Sequence, residues 1–582
     1  MASRSRSRRQ KTEAMRYPAQ ITVALALLGL GGCARDADRA DLVLRGGEVY
    51  TVDAARSWAS AIAVRDGRIV YVGSDSLPRG LIGAGTEIVE LAGAMVLPGF
   101  QDAHVHPISS GVDLTECHLH SLTTAVAVLD SIRACALARA DRPWVRGSGW
   151  QLPIFPRGNP SRLDLDRAVP DRPALLYAAD GHSAWLNSRA LALAGITRHT
   201  RDPANGRIER DSSGEPSGTL RESAMGLVDS VVPARTRADL AAGLERAQRE
   251  ANAFGITSIF AATADEPDLA TYAEADRAGA LTLRVVAAAY SGAQVDSILP
   301  RAQAWRTRYA TARVRPNAVK LFQDGVIEAR TAALLAPYLD RAGDAGTPIF
   351  DQPTLDRLTA DLDRDGFQVH VHAIGDRAIR TALDAFAHAR ERNGPRDSRH
   401  AITHLELIDP ADLPRFRALG VVANFQALWA NGDEYLTELT EPALGRARSR
   451  WLYPIASVVR TGAIVTGGSD WSVSSLNPLE AIEVGITHRD PGDSAAAAWN
   501  PAERVDLPTM IALYTINAAW ALHQEDKTGS IEPGKLADLV VLDRNLFQIP
   551  AGRIHEARVM RTLLEGKTVY QAGAPQQQRP RP

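Results

Sequence analysis

The sequence predicts an α/β chain: a (β/α)8 TIM-like barrel with a long insertion after its first strand, plus a small β-sandwich built from both chain ends. Three observations carry this. Eight short β-rich runs, at 100–106, 256–262, 283–289, 318–322, 368–372, 401–405, 421–426 and 464–469, are mostly separated by helical stretches such as 239–254 and 377–392. Strand–helix alternation implies parallel pairing, and eight such units close a barrel. About 150 residues separate the first two runs, far more than a barrel loop needs, so 107–255 is an insertion with structure of its own. Both ends of the chain carry hairpin patterns too small to fold alone.

At the start, two apolar runs at 42–44 and 61–64 lead to Asp66-Gly67 and then to 68–72; at the end, 537–542 and 561–564 lead to Glu565-Gly566 and then to 568–570. An acidic residue followed by glycine between apolar runs favours a tight hairpin turn. Segments 41–98 and 526–575 therefore form the composite sandwich, and 99–525 the barrel.

Residues 1–33 read as a signal peptide. A basic stretch precedes an apolar run at 21–30 that is far short of the ~20 residues of a membrane span. Leu30-Gly31-Gly32-Cys33 resembles a bacterial lipobox, which implies an exported lipoprotein, periplasmic or anchored to the outer membrane through lipid on Cys33, with 34–40 as a tether. An ordinary secretory signal with an incidental cysteine is the alternative. Met15 is a second candidate start, because 15–33 is a complete signal by itself.

The formal charge of the 582 residues is −2. Residues 1–32 hold six of the 66 bases and one of the 68 acids, so the remainder has 60 against 67, a net of −7. No basic stripe remains to neutralise phosphates, so no nucleic-acid partner is expected. Cys117 and Cys135 either form a disulfide in an oxidising compartment or stay as separate core thiols. A homo-oligomer is compatible with the composition.

The sharpest chemical signal is Pro98-Gly99-Phe100-Gln101-Asp102-Ala103-His104-Val105-His106. Residues two apart on a strand share a face, so His104 and His106 project together, as half of a divalent metal site. Other expected strand ends hold Lys320, His372 (in His370-Val371-His372-Ala373-Ile374-Gly375-Asp376), His404 and Asp470. Catalytic residues of such barrels come from the ends of several strands, and the chain has only 14 histidines to place there.

These motifs, with Asp180-Gly181-His182-Ser183-Ala184-Trp185-Leu186-Asn187 and Val319-Lys320-Leu321-Phe322-Gln323-Asp324-Gly325, resemble the amidohydrolase superfamily, and more narrowly its amidohydrolase-3 branch, which includes N-substituted formamide deformylases. The resemblance spans roughly 41–570. It implies His104, His106, His372 and His404 as metal ligands, with Asp470 as ligand and general base. It implies Lys320 as a carbamylated lysine bridging two ions; the alternative is a lysine paired with an acid such as Asp324, and a single ion. Zinc is the expected metal, although manganese, iron or nickel suit similar donors. His182 is expected to face the substrate and bind its carbonyl oxygen. His370 and His400, each one layer deeper than its neighbour in the motif, read as core residues. Trp150, Gln426, Trp429 and Trp471 are candidates for the pocket wall, or for ordinary packing.

The expected activity is hydrolysis of a carbon–nitrogen bond, amide-like, in a small or medium organic substrate. A bound ion would acidify a water and polarise the carbonyl. The alternatives are lactones, carbamates or cyclic amides at the same site, or a lipid-anchored binding protein without catalysis. Deaminases of the superfamily usually place a glutamate soon after the strand-five histidine; here Ala373-Ile374-Gly375-Asp376 follows.

Overall fold

The computed structural model describes residues 39–573 except 291–294 and 494. The signal segment with Cys33, and most of the tether, lie outside the described residues. Among the described residues no helix is long and apolar enough to cross a membrane.

Eight parallel strands form the barrel: β1 (Phe100–Val105), β2 (Ile256–Ala264), β3 (Arg284–Tyr290), β4 (Val314–Phe322), β5 (Gln368–Ala373), β6 (Ala401–His404), β7 (Val422–Phe425) and β8 (Val465–Gly467). Each pairs with the next in chain order. Between β8 and β1 no ladder forms, but Asp470 N–H donates to His104 O (2.8 Å) and His106 N–H to Trp471 O (3.2 Å). All six residues of β1 and of β5 are buried, as expected of strands covered on both sides. Most boundaries lie within two residues of the sequence expectation, and two differences have a clear cause. β4 starts four residues early, because Arg315 and Asn317 alternate with buried Val314, Pro316 and Ala318 and mask the apolar run. β8 is only three residues long, because the chain leaves the ladder at Gly468, where a Cβ would lie 2.7 Å from the His104 Cβ.

Helices cover the barrel, and their starts are readable locally. Arg237–Ala253 begins with a capping box between Thr236 and Asp239, and Glu266–Arg277 with one between Asp265 and Asp268.

Between β1 and β2 the insertion builds a six-stranded sheet from Cys117–His118, Val145–Trp150, Ala174–Ala178, Ser183–Leu186, Gly206–Arg210 and Pro216–Glu222. One core holds Trp150, Phe155 and Trp185; another holds Leu175, Leu186, Ile208 and Leu220. A disulfide joins Cys117 to Cys135, on the helix Ala125–Ala138, with Cα atoms 5.7 Å apart.

Where a small sandwich is expected, the two chain ends form one hydrogen-bonded sheet of eight strands. Met95–Pro98 pairs antiparallel with Leu539–Leu542, Pro98 opposite Leu539. Alternation sends Met95, Leu97, Val540 and Leu542 to the main core, and Val96, Leu539 and Val541 into a second core with Leu44, Ile62 and Val64. The two acidic–glycine turns have positive φ at Asp66, Gly67, Glu565 and Gly566. They meet: a Cβ on Gly67 would lie 3.0 Å from Glu565 O. Arg284 of β3 ties this sheet to the barrel through Asp538 and Glu565, each at 2.7 Å.

Candidate metal centre

Asp470, just past β8, faces the histidines of β1. Its Oδ1 is 3.0 Å from His106 Nε2 and 3.3 Å from His104 Nε2, and its Oδ2 is 3.9 Å from His404 Nδ1. His104, His404 and Asp470 offer ligand atoms that all lie within 4.8 Å of one another. The His372 ring centre is 4.5 Å from that of His404, and Lys320 Nζ is 3.5 Å from His104 Nε2. His182 arrives from the insertion, its ring 5.2 Å from that of His372. The strand ends thus gather His104, His106, Lys320, His372, His404 and Asp470, with His182 at the rim.

The donor set fits a divalent cation. Asp470 Oδ1 is buried without a hydrogen-bond partner. On each histidine, one ring nitrogen is already held by a neighbour away from the centre. His106 Nδ1 is 2.9 Å from Thr263 Oγ1, His404 Nδ1 is 2.9 Å from Gln426 Oε1, and His372 Nε2 is 3.2 Å from Gly325 O. His104 Nδ1 lies 2.8 Å from His370 Nε2 and 3.1 Å from Thr403 Oγ1. Partners of this kind fix the tautomer and leave the other nitrogen for a metal. Burial, reinforced by neighbouring cationic groups, holds the pKa of His104, His372 and His404 well below the usual imidazole range, so they are neutral with a free lone pair. Burial alone would raise Asp470, but His106 and the other basic groups outweigh it and hold it below the usual value, as a carboxylate. Nitrogen and carboxylate donors at one point suit zinc and similar ions.

The backbone is bent to make this arrangement. His404, Leu405 and Asp470 have φ of 79°, 54° and 53°, uncommon for residues with side chains and typical of functional sites. The buried Asp102 accepts hydrogen bonds from the N–H groups of His104 (3.0 Å) and Ser469 (3.1 Å), tying β1 to the end of β8. Its carboxyl pKa is pushed up to about 7 by burial.

Lys320 is 1% exposed, and among the described residues no carboxylate pairs with it. Asp324, the partner that the single-ion alternative names, is committed elsewhere: it accepts from the N–H groups of Ile374 (3.0 Å), Gly375 (2.9 Å) and Ala333 (2.9 Å), and so shapes the loop after β5. Asp324 is therefore not seen to pair with Lys320. Burial lowers the Lys320 pKa to about 7, against the pull of Asp470, so a substantial fraction is neutral amine at neutral pH.

Other sequence candidates fall differently. Trp150 is no pocket wall: it is buried in the insertion core and donates to Leu176 O at 3.0 Å. Trp429 stacks on His404 with rings 5.6 Å apart and nearly parallel. Gln426 lies under His404 and donates to Asn424 Oδ1 at 3.0 Å. His400 pairs with Asp363 (3.1 Å) and Phe386, away from the centre. His370 is one layer deeper, as expected, but it is more than packing because it holds His104. The sequence reading missed Thr263 and Glu222, neither of which belongs to a motif. A cleft of about 440 Å³ opens at the other end of the barrel, lined in part by Arg315, Asp363 and His523, and touches none of the centre's residues.

Fold and site define a (β/α)8 barrel protein with a buried histidine–carboxylate centre of the type that holds a divalent metal. The chain belongs to the amidohydrolase family, whose profile matches residues 87–570. It is 31% identical over 546 residues to Protein LONG AFTER FAR-RED 3 of Arabidopsis thaliana, covering 91% of this chain and 92% of that protein. It is 29% identical over 554 residues to N-substituted formamide deformylase of Arthrobacter pascens, covering 91% and 98%. Among solved structures, an uncharacterized metal-dependent hydrolase from Pyrococcus furiosus is similar with a TM-score of 0.67 at 26% identity, over 87% of this chain and 99% of that one.

Proposed function

We propose that this protein is a metal-dependent hydrolase of carbon–nitrogen bonds, amide-like, in small or medium organic substrates. The observation that carries the reading is the convergence of His104 and His106 on the buried Oδ1 of Asp470, with His404 beside the other carboxylate oxygen. The names of the Arthrobacter and Pyrococcus proteins agree with it. His104, His106, His372, His404 and Asp470 would hold one or two ions, zinc by default. When bound, the ion supplies Lewis acidity to a water and to the substrate carbonyl.

The chain's own residues do the rest. Asp470, kept anionic and buried beside the histidines, accepts the proton of the attacking water at a carboxylate oxygen and returns it to the leaving nitrogen. His182 faces the carbonyl oxygen from the rim. The neutral amine of Lys320 could add CO2, losing one proton, to give a carbamate whose carboxylate would be a further oxygen ligand for one ion or two. Of His104, His106, His372 and His404, only His106 is substantially exposed, with 23% of its side chain open, which supports substrate entry on the His106 side. Lactones, carbamates and cyclic amides are alternative substrates of the same site. The lipobox reading of Cys33 places the enzyme outside the cytoplasm on a lipid anchor, as a further proposal.

The test is a hydrolysis screen of the metal-loaded protein against N-formyl, N-acyl, lactone and cyclic amide panels, with metal content measured by mass spectrometry. Turnover of N-formyl or N-acyl compounds that disappears on chelation is the expected result. A metal-loaded protein inert to every panel would favour a binding protein without catalysis.

A further inference from the structure

The insertion delivers His182 to the barrel, and the side chain that aims it lies outside every motif of the sequence. His182 Nδ1 is 2.8 Å from Glu222 Oε2. The other oxygen, Glu222 Oε1, accepts from Thr331 Oγ1 at 2.6 Å. His182 immediately precedes the strand Ser183–Leu186, and Glu222 ends its antiparallel neighbour Pro216–Glu222, so the two leave the insertion sheet side by side. Glu222 N–H also donates to His182 O at 3.1 Å. Both side chains are largely buried.

Two features show that this arrangement is built. Glu222 has φ 50° and ψ −128°, a conformation that costs energy for a residue with a side chain and persists only where the surroundings impose it. Gly325 leaves the room: a Cβ there would lie 2.2 Å from Thr331 Oγ1 and 2.3 Å from Glu222 Oε1. The carbonyl of the same Gly325 lies 3.2 Å from His372 Nε2. One loop residue therefore orients the β5 histidine and makes space for the carboxylate that holds His182.

We infer that Glu222 is a positioning residue. Its carboxylate accepts from His182 Nδ1–H and sets the plane of the ring, which turns Nε2 towards the substrate; as an imidazolium ion-paired with Glu222, the ring has an Nε2–H to donate to the carbonyl oxygen. The inference rests on the hydrolase reading for its catalytic consequence, but the geometry of the pair stands apart from it. Carboxylates that orient histidines in this way commonly matter by ~10–10²-fold when removed.

The experiment compares wild type, Glu222→Gln, His182→Gln and the double variant, each as metal-loaded full-length protein. The readouts are metal content, kcat and KM on p-nitroformanilide, and the downfield proton resonance of His182 Nδ1 in histidine-labelled protein. Glu222→Gln should keep its metal and a similar KM, lose ~10–10²-fold in kcat, and lose the resonance. The double variant should be no worse than His182→Gln, because Glu222 acts through His182. Losses that multiply, or an unchanged resonance in Glu222→Gln, overturn the inference. If Glu222→Gln does not fold, Thr331→Val removes only one support of the carboxylate; its smaller loss must vanish in the His182→Gln background. If metal-loaded wild type hydrolyses no compound, the hydrolase reading fails, while the resonance still decides whether Glu222 orients His182.

Discussion

His104 Nδ1 sits 2.8 Å from His370 Nε2, beneath the candidate metal centre. Two nitrogens at that distance share one proton, so one ring donates and the other accepts. If His104 Nε2, on the Asp470 side of the ring, is the lone pair that a metal takes, its Nδ1 is the donor and His370 the acceptor. His370 is itself clamped by stacking on Phe260, with ring centres 4.5 Å apart. His370→Phe should preserve the ring and the stacking but remove the acceptor. Metal affinity is expected to fall by ~10–10²-fold with the fold intact, as measured by competition with a chelator. An unchanged affinity would mean that Thr403 alone holds His104.

Lys320→Ala should lose most activity and part of the metal, and formate or acetate should restore some of both. The small carboxylate would occupy the space of the proposed carbamate as an oxygen donor. Full activity without rescue would remove Lys320 from the centre.

Asp470→Asn keeps the shape of the side chain and one oxygen but removes its basicity. With the histidines still in place, near-normal metal content and KM are expected, and a kcat lower by ~10²–10⁴. Metal analysis and kinetics on the same preparation check this. A metal-free variant would instead make Asp470 chiefly a ligand.

The Cys117–Cys135 bond closes a loop with a sequence separation of 18, for which chain-entropy estimates give roughly 3 kcal/mol. Cys135→Ala should destabilise the insertion by about that amount and leave the barrel strands unchanged. Protease sensitivity confined to 107–255 under mild denaturant is the expected readout. Equal protection of insertion and barrel would refute it.

Acid stability should depend on Asp363. Burial pushes its carboxyl up, but hydrogen bonds from His400, Ser398 and Asn393 outweigh that and bring it to about 2. A carboxyl depressed below its unfolded value of ~3.9 contributes stability that is complete above that pH. The contribution is lost as pH falls through the window between ~3.9 and about 2. Wild type should therefore lose stability in that window, and Asp363→Asn, weaker at neutral pH, should lose less there. Denaturant midpoints against pH measure both.

The barrel and most of the centre are legible in the chain itself. Parallel strands covered on both sides read as short apolar runs, and a period of two sends His104 and His106 to one side of β1. Gly468 and the turn glycines are likewise visible, because only a residue without Cβ fits there. The disulfide is different: spacing permits Cys117 to meet Cys135, but it is the packing of the helix Ala125–Ala138 on the insertion sheet that brings them together. The orienting contacts are also decided by tertiary structure. His104 meets His370 across 266 residues, and Glu222 meets Thr331 across 109. A strand's period fixes the side to which a side chain points, but not the residue it finds across the barrel. That second choice depends on strand order, on loop backbones such as that of Gly325, and on how the insertion closes over the barrel. For this reason the candidate ligands can be named from the sequence, while the residues that aim them emerge only when distant segments pack together.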